Sequence, residues 1–166
     1  MGRDYLYRSP WFDFRLDAVE LPDGERIEYG VFEGREVAVV LALTSRGKVV
    51  MVKQWRQPLR DFSLSLPGGM VDCGEKPEVA ASRELFEETG YEAGEMELLF
   101  KVHPSPGRTD EVCYIFRCEA VIGVSSRPDA TEFIEVVEVG VDEMKRKVSE
   151  GEITDAATVL ALTRIS

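Results

Sequence analysis

Cysteine and histidine are scarce in this chain: Cys73, Cys113 and Cys118 are its three cysteines, and His103 is its one histidine. The cysteines are odd in number and form no CxxC pair, which argues for free thiols in a reducing compartment and against a disulfide framework. A zinc site built from Cys113, Cys118 and His103 matches no familiar ligand spacing, and packing of the two thiols within a strand is the simpler reading. No run of about 18 apolar residues is present, so nothing is expected to span a membrane. The N-terminal MGRDYLYRSPWFDFRLD lacks the apolar core of a signal peptide, and a cytoplasmic protein is expected. Basic residues are also in deficit, 20 against 31 acidic ones, for a net charge of −11. That field repels nucleic-acid backbones and anionic membranes, so neither is expected as a partner. A polyanionic small molecule remains open, because bound Mg²⁺ reverses the sign of the field locally.

Apolar residues make up 44% of the chain and charged ones 31%, as in soluble globular proteins. The length of 166 residues suits a single domain, 1–166, with a sizeable core. There is no repeat and no low-complexity tract. FDFRLDAVEL and ERIEYGVF flank Pro22-Asp23-Gly24 and read as a hairpin within an N-terminal region of about residues 1–35. EVAVVLAL and KVVMVKQW flank TSRG and read as a second, largely buried hairpin. RQPLRDFSLSLPGG reads as a loop. MELLFKVH, DEVCYIFRCEAV and EFIEVVEV read as three further strands. One helix is expected from about Pro77 to Thr89, with Pro77 in its first turn and Gly90 as its stop. Val79 and Phe86 would share its apolar face across Ser82, widened by Ala81 and Leu85. A second helix is expected from about Thr154 to Ile165, capped by Thr154, with a shorter helical piece, VDEMKRKVSEG, before it. Strands outnumber helices and do not alternate with them regularly, which implies an α+β fold or a mixed-sheet sandwich.

The most informative stretch is RELFEETG, residues 83–90. At 100° per residue Glu84 and Glu88 lie one turn apart on one face, with Glu87 beside them. Like charges so placed cost an isolated helix a few tenths of a kcal/mol per pair, about what a solvated face tolerates. Oxygen clusters of this kind also suit hard cations such as Mg²⁺, which bridge carboxylates to phosphates. Arg83 is one turn from Glu87 and can orient it or pair with Glu75. Upstream, Gly68-Gly69 lets the backbone bend and present a carbonyl as a further oxygen ligand.

Gly69, five residues, Glu75, seven residues, then Arg83-Glu84-Leu85-Phe86-Glu87-Glu88-Thr89-Gly90-Tyr91 resembles the Nudix box, G-x5-E-x7-R-E-U-x-E-E-x-G-U. All of its fixed positions match, and a chance match in a chain this long is on the order of one in a million. The resemblance implies an α/β/α sandwich around a mixed sheet, and hydrolysis of a nucleoside diphosphate linked to another moiety with Mg²⁺, or Mn²⁺ as a substitute. It implies metal ligation by Glu84, Glu88, Glu87 and the Gly68 carbonyl, with Gly69, Glu75, Arg83 and Gly90 holding the box together.

VAVVLAL, VVMVKQWRQP, SLPGGMVDCGE, HPSPGRTDE and GEITDAATVLAL resemble the ADP-ribose pyrophosphatase branch of that family, in which a proline follows the box at about the place of Pro106. The branch's usual E-L-P-A-G reads Ser65-Leu66-Pro67-Gly68-Gly69 here, so a glutamate and an alanine are replaced. The branch implies cleavage of ADP-ribose to AMP and ribose 5-phosphate, with another nucleoside diphosphate sugar or a dinucleotide as alternatives, and a non-catalytic ADP-ribose sensor as the rival from another class. Its general base is implied on the loop SSRPDATEFIE, at Glu132 and next at Asp129, with Glu111 third. Arg56 and Arg108 can pair with phosphates or with surface carboxylates. Tyr29, Trp11, Phe12 and Phe14 can stack on a base or pack internally. The branch also implies a homodimer built through the N-terminal segment.

Overall fold

The computed structural model describes residues 2–122 and 134–165. An N-terminal antiparallel sheet comprises β1 (Arg3–Arg8), β2 (Asp13–Glu20) and β3 (Arg26–Glu33), in that order. The main sheet holds β4 (Val37–Thr44), β5 (Lys48–Arg56), β6 (Asp61–Ser65), β7 (Gly68–Met70), β8 (Tyr91–Ala93), β9 (Glu97–Val102), β10 (Cys113–Ile122) and β11 (Ile134–Gly140). Helix α1 (Pro77–Thr89) covers one face, and α2 (Val141–Ser149) and α3 (Ala156–Leu162) cover the other. The result is the α/β/α arrangement expected.

Two cores follow from strict alternation along the central strands. Ala38, Val40, Ala42 and Val50 pack against Ala80, Ala81 and Leu85 of α1. Val39, Leu41, Val49 and Met51 point the other way, to Met144 of α2 and Ala161 of α3. The small residues on the first face let α1 approach the sheet closely. β4 lies between two layers of helix and pairs in parallel with β10 over Val37–Thr44, so its nearly unbroken apolar sequence is what a doubly covered strand requires.

The second hairpin departs from expectation. β4 and β5 pair only at Leu43 with Val49 and then separate. Into the gap goes the stretch read as a loop: β6 adds to β5, and β7 adds to β4 through Val39 with Gly68 and Val37 with Met70. The backbone N–H of Val40 donates to the Pro67 carbonyl across the junction at 3.0 Å. Alternation in SLSL drives this, because Leu64 and Leu66 enter the α2/α3 core. Beyond the expected strands, β1 and the short β8 are also present.

Candidate active site

Pro77 opens α1, and Gly90 closes it in a left-handed conformation (φ 75°), its N–H donating to the Phe86 carbonyl at 2.8 Å. The buried face of the helix is Ala80, Ala81, Leu85, Glu88 and Thr89. Val79, 50% exposed, and Phe86, 36% exposed, lie outside it, contrary to the apolar face read from the sequence. The helix axis is turned so that the carboxylate side meets the sheet junction, and two of the larger apolar residues are left facing solvent. In α3, Asp155 rather than Thr154 is the cap: its carboxylate accepts from the Thr158 N–H at 2.8 Å.

The wedge β6–β7 delivers Gly68 and Gly69 to α1. A side chain at Gly68 would collide with the Ala38 carbonyl and come within 2.7 Å of the Val39 Cα, so the two strands here approach more closely than an alanine at this position would allow. The Gly68 N–H donates to Glu88 Oε2 at 2.9 Å, which anchors a carboxylate that is only 5% exposed. A Cβ on Gly69 would stand 2.5 Å from the Glu84 carboxylate, so this second glycine is the cradle against which Glu84 lies.

Arg83 ties the rest together. Its Nε and Nη2 donate to the two oxygens of Glu75 at 3.1 and 3.0 Å, Nη2 also reaches the Met70 carbonyl at 3.0 Å, and Nη1 donates to Glu84 at 2.7 Å and Glu87 at 3.0 Å. The Glu75 hydrogen bonds, then those of Glu84 and Glu87, hold the guanidinium firmly protonated. Arg83, aided by the Asp72 N–H, holds the Glu75 carboxyl below the usual carboxylate range. Both alternatives read for Arg83, orienting Glu87 and pairing with Glu75, are thus realised at once.

Gly68, Gly69, Glu75, Arg83, Glu84, Glu87 and Glu88 are therefore gathered in one place. Among the described residues no three His, Cys, Asp or Glu side chains stand close enough together to hold a metal ion as they are placed. The donor set still fits a hard divalent cation: three carboxylates beside a backbone turn, with the positive Arg83 Nη1 between Glu84 and Glu87.

A second hydrogen-bonded group contains Tyr29 and the loop with Pro106 and Arg108. The Tyr29 hydroxyl donates to the Gly107 carbonyl at 2.9 Å. His103 Nδ1 lies 3.0 Å from the Glu111 carbonyl and closes the base of that loop. Burial raises the Glu111 carboxyl above its ordinary pKa. Arg56 joins neither group: it ends β5, and its carbonyl accepts from the N–H of Leu59 and of Arg60. Glu132 and Asp129 lie outside the described residues. Cys113 and Cys118 point into opposite cores, with burial pushing their thiols up to about 12 and about 11, so they are packing groups and do not share a ligand site. Arg15 and Asp110, which carry no motif or spacing signal, prove to be central to the second group. Arg15 sits between Phe14 and Leu16 in a strand whose alternation would turn it outward, yet it is 5% exposed.

A glycine pair is thus wedged into a split sheet and faces a carboxylate-bearing helix. Residues 33–159 match the NUDIX domain, and residues 2–32 match the Nucleoside diphosphate sugar hydrolase N-terminal domain. The chain is 34% identical to an ADP-ribose pyrophosphatase from Bacillus subtilis (strain 168), over 98% of this chain and 89% of that protein. It is 36% identical to a methanol dehydrogenase activator from Bacillus methanolicus, over 89% and 81%. It is 29% identical to a GDP-mannose pyrophosphatase from Yersinia pestis (strain Pestoides F), over 91% and 79%. A crystal structure of an ADP compounds hydrolase shares the fold, with TM-score 0.85 and 21% identity over 98% of this chain and 89% of that one. This chain belongs to the NUDIX family.

Proposed function

We propose that this protein hydrolyses the pyrophosphate bond of ADP-ribose, giving AMP and ribose 5-phosphate, with Mg²⁺ as its natural cation and Mn²⁺ as a substitute. The observation that carries the reading is the complete carboxylate set: Glu88 and Glu84 lie against the Gly68–Gly69 wedge, and Glu87 shares Arg83 with Glu84. Glu84, Glu87, Glu88 and the Gly68 carbonyl would hold the cation, which when bound would neutralise charge on the phosphate oxygens and lower the pKa of water. Arg83 and Glu75 keep the glutamates aligned through the network described above. Glu132 is our first choice for the group that takes the proton of the water, with Asp129 second and Glu111 third; the raised affinity of Glu111 for a proton keeps it in contention. Arg56 and Arg108 would pair with phosphate oxygens, and Pro106 and Tyr29 would shape the substrate pocket. Hydrolysis adds one water across P–O–P: oxygen bonds to one phosphorus, the bridging oxygen leaves with the other, and the base carries off the proton.

A second reading, another nucleoside diphosphate sugar as substrate, draws on the match of residues 2–32 and on the similarity to a GDP-mannose pyrophosphatase. A non-catalytic sensor is disfavoured, because it has no use for all three carboxylates. We further read residues 1–166 as one functional domain, acting in the cytoplasm as a homodimer. Exposed Tyr7 and Phe32 of the N-terminal sheet, with Trp11 and Phe12 in the β1–β2 connection, suit contact with a second copy; no described helix is long and apolar enough to cross a membrane.

The test is product analysis with Mg²⁺, and with EDTA as control, over ADP-ribose, other nucleotide sugars, dinucleotides and nucleoside triphosphates. AMP and ribose 5-phosphate formed from ADP-ribose faster than products from any rival are expected. Faster turnover of another compound replaces the substrate, and binding without products rejects hydrolysis.

A further inference from the structure

The loop Ser105–Glu111 is docked on the N-terminal sheet through three points. The Tyr29 hydroxyl reaches Gly107, the Phe32 N–H donates to the Arg108 carbonyl at 2.9 Å, and Phe32 forms a parallel bridge with Thr109. The Gly34 N–H donates to Asp110 Oδ1 at 2.8 Å. Gly34 also leaves no room for a side chain: its Cβ would lie 2.8 Å from both Glu111 Cβ and Thr109 Oγ1. Beneath this contact is the buried guanidinium of Arg15. It stands 2.9 Å from Asp17 of β2, 2.9 Å from Glu33 of β3 and 3.8 Å from Asp110 of the loop. Glu33 is held in turn by the Tyr5 hydroxyl at 2.7 Å, which with Arg15 keeps its carboxyl below the ordinary range.

One cation therefore serves three carboxylates from three segments of chain, and only one of those segments belongs to the loop. Only the cation is buried; its partners are progressively more exposed, Asp17 at 19%, Glu33 at 33% and Asp110 at 50%, so the loop carboxylate is the one most weakly held if the reach of the cation is shortened. We propose that Arg15 is a positioning residue: it holds the Ser105–Glu111 loop against β3, and through the loop it sets the place of Arg108. The inference rests on the reading that Arg108 meets the substrate. It gives the N-terminal sheet a part in the site of its own chain, independent of any second copy.

The test is a double-mutant cycle on KM and kcat for ADP-ribose with Arg15→Lys, Arg108→Ala and the pair, alongside trypsin cleavage after Arg108. Lysine retains the charge but not the fork that reaches two carboxylates at once. Arg15→Lys is expected to raise KM about fivefold at unchanged kcat, and to add almost nothing when Arg108 is already alanine, which is the signature of two residues acting through one contact. Cleavage after Arg108 is expected to accelerate while the melting temperature of the remainder holds. Multiplicative KM effects, or a loss confined to kcat, overturn the proposal, as does unchanged cleavage. Should Arg15→Lys fail to fold, Asp110→Asn replaces it: asparagine still accepts from Gly34 but loses the attraction to Arg15, and the same pattern is expected. Wild-type protein inactive on ADP-ribose refutes the substrate reading alone, because the cleavage arm still decides the clamp.

Discussion

Glu88 occupies an unusual position for a carboxylate, 5% exposed and fixed by a backbone N–H. Burial of an ionised group is costly unless hydrogen bonds or a cation compensate it, so its placement makes sense as a ligand held ready. Glu88→Gln keeps an oxygen that can accept from Gly68 and removes the charge. The fold should therefore survive with little change in melting temperature, while ADP-ribose turnover at saturating Mg²⁺ falls on the order of 100-fold or more. Full activity in that variant removes Glu88 from the ligand set. Glu84 and Glu87 both accept from the same Arg83 nitrogen, so a change at Arg83 would release the two together.

At the scale of the element, α1 was legible in its limits but not in its orientation. Proline, acidic first turn and terminal glycine fix where a helix starts and stops whatever it packs on, and Pro77–Thr89 is what they dictate. Which side is buried depends on the partner surface, and here the partner is a sheet lined with Ala38, Val40 and Ala42 that accepts Ala80, Ala81 and Leu85. Leu85→Ala should accordingly cost about 2–5 kcal/mol in urea unfolding, and Val79→Ala within about 0.5 kcal/mol. Equal costs at the two positions would return the helix to the orientation read from its sequence. The β6–β7 wedge escaped the sequence reading for a related reason. Pro67 and the glycines are loop formers by local propensity, and only the separation of β4 from β5 supplies the hydrogen-bond partners that turn them into strand. The box itself was fully legible, because its residues are fixed by chemistry at constant spacing; Arg15 and Asp110 were not, because their meeting is made by tertiary contact alone.

Across the whole molecule, separate parts are fastened by a few polar ties laid over the two cores. Glu138 of β11 accepts from the Tyr91 hydroxyl just beyond α1 at 2.6 Å and from Arg46 in the β4–β5 turn at 2.7 Å. Tyr91, with Arg46 and Lys48, holds the Glu138 carboxyl below its ordinary value near 4.5. A lowered folded-state pKa contributes stability that is fully present above the unfolded value and is lost as pH falls through the folded one. Wild-type protein should thus lose melting temperature below about pH 4.5 more steeply than Glu138→Gln, which has no proton to take up there. Parallel pH profiles for the two proteins would deny the tie any share in acid unfolding.

The parting of β4 from β5 also has a consequence in time. The two strands are neighbours in sequence, joined by a short turn, and such hairpins close within about 10 μs. The finished protein keeps only the turn end of that pairing. Where β5 leaves β4 its place is taken by β7, from further along the chain, and closing that longer loop is slower. Gly68 and Gly69 lie in that second pairing, opposite Val39 and Ala38. The turn end of the hairpin is therefore expected to form before the glycine wedge is seated, and the site proposed here to be completed only with that wedge.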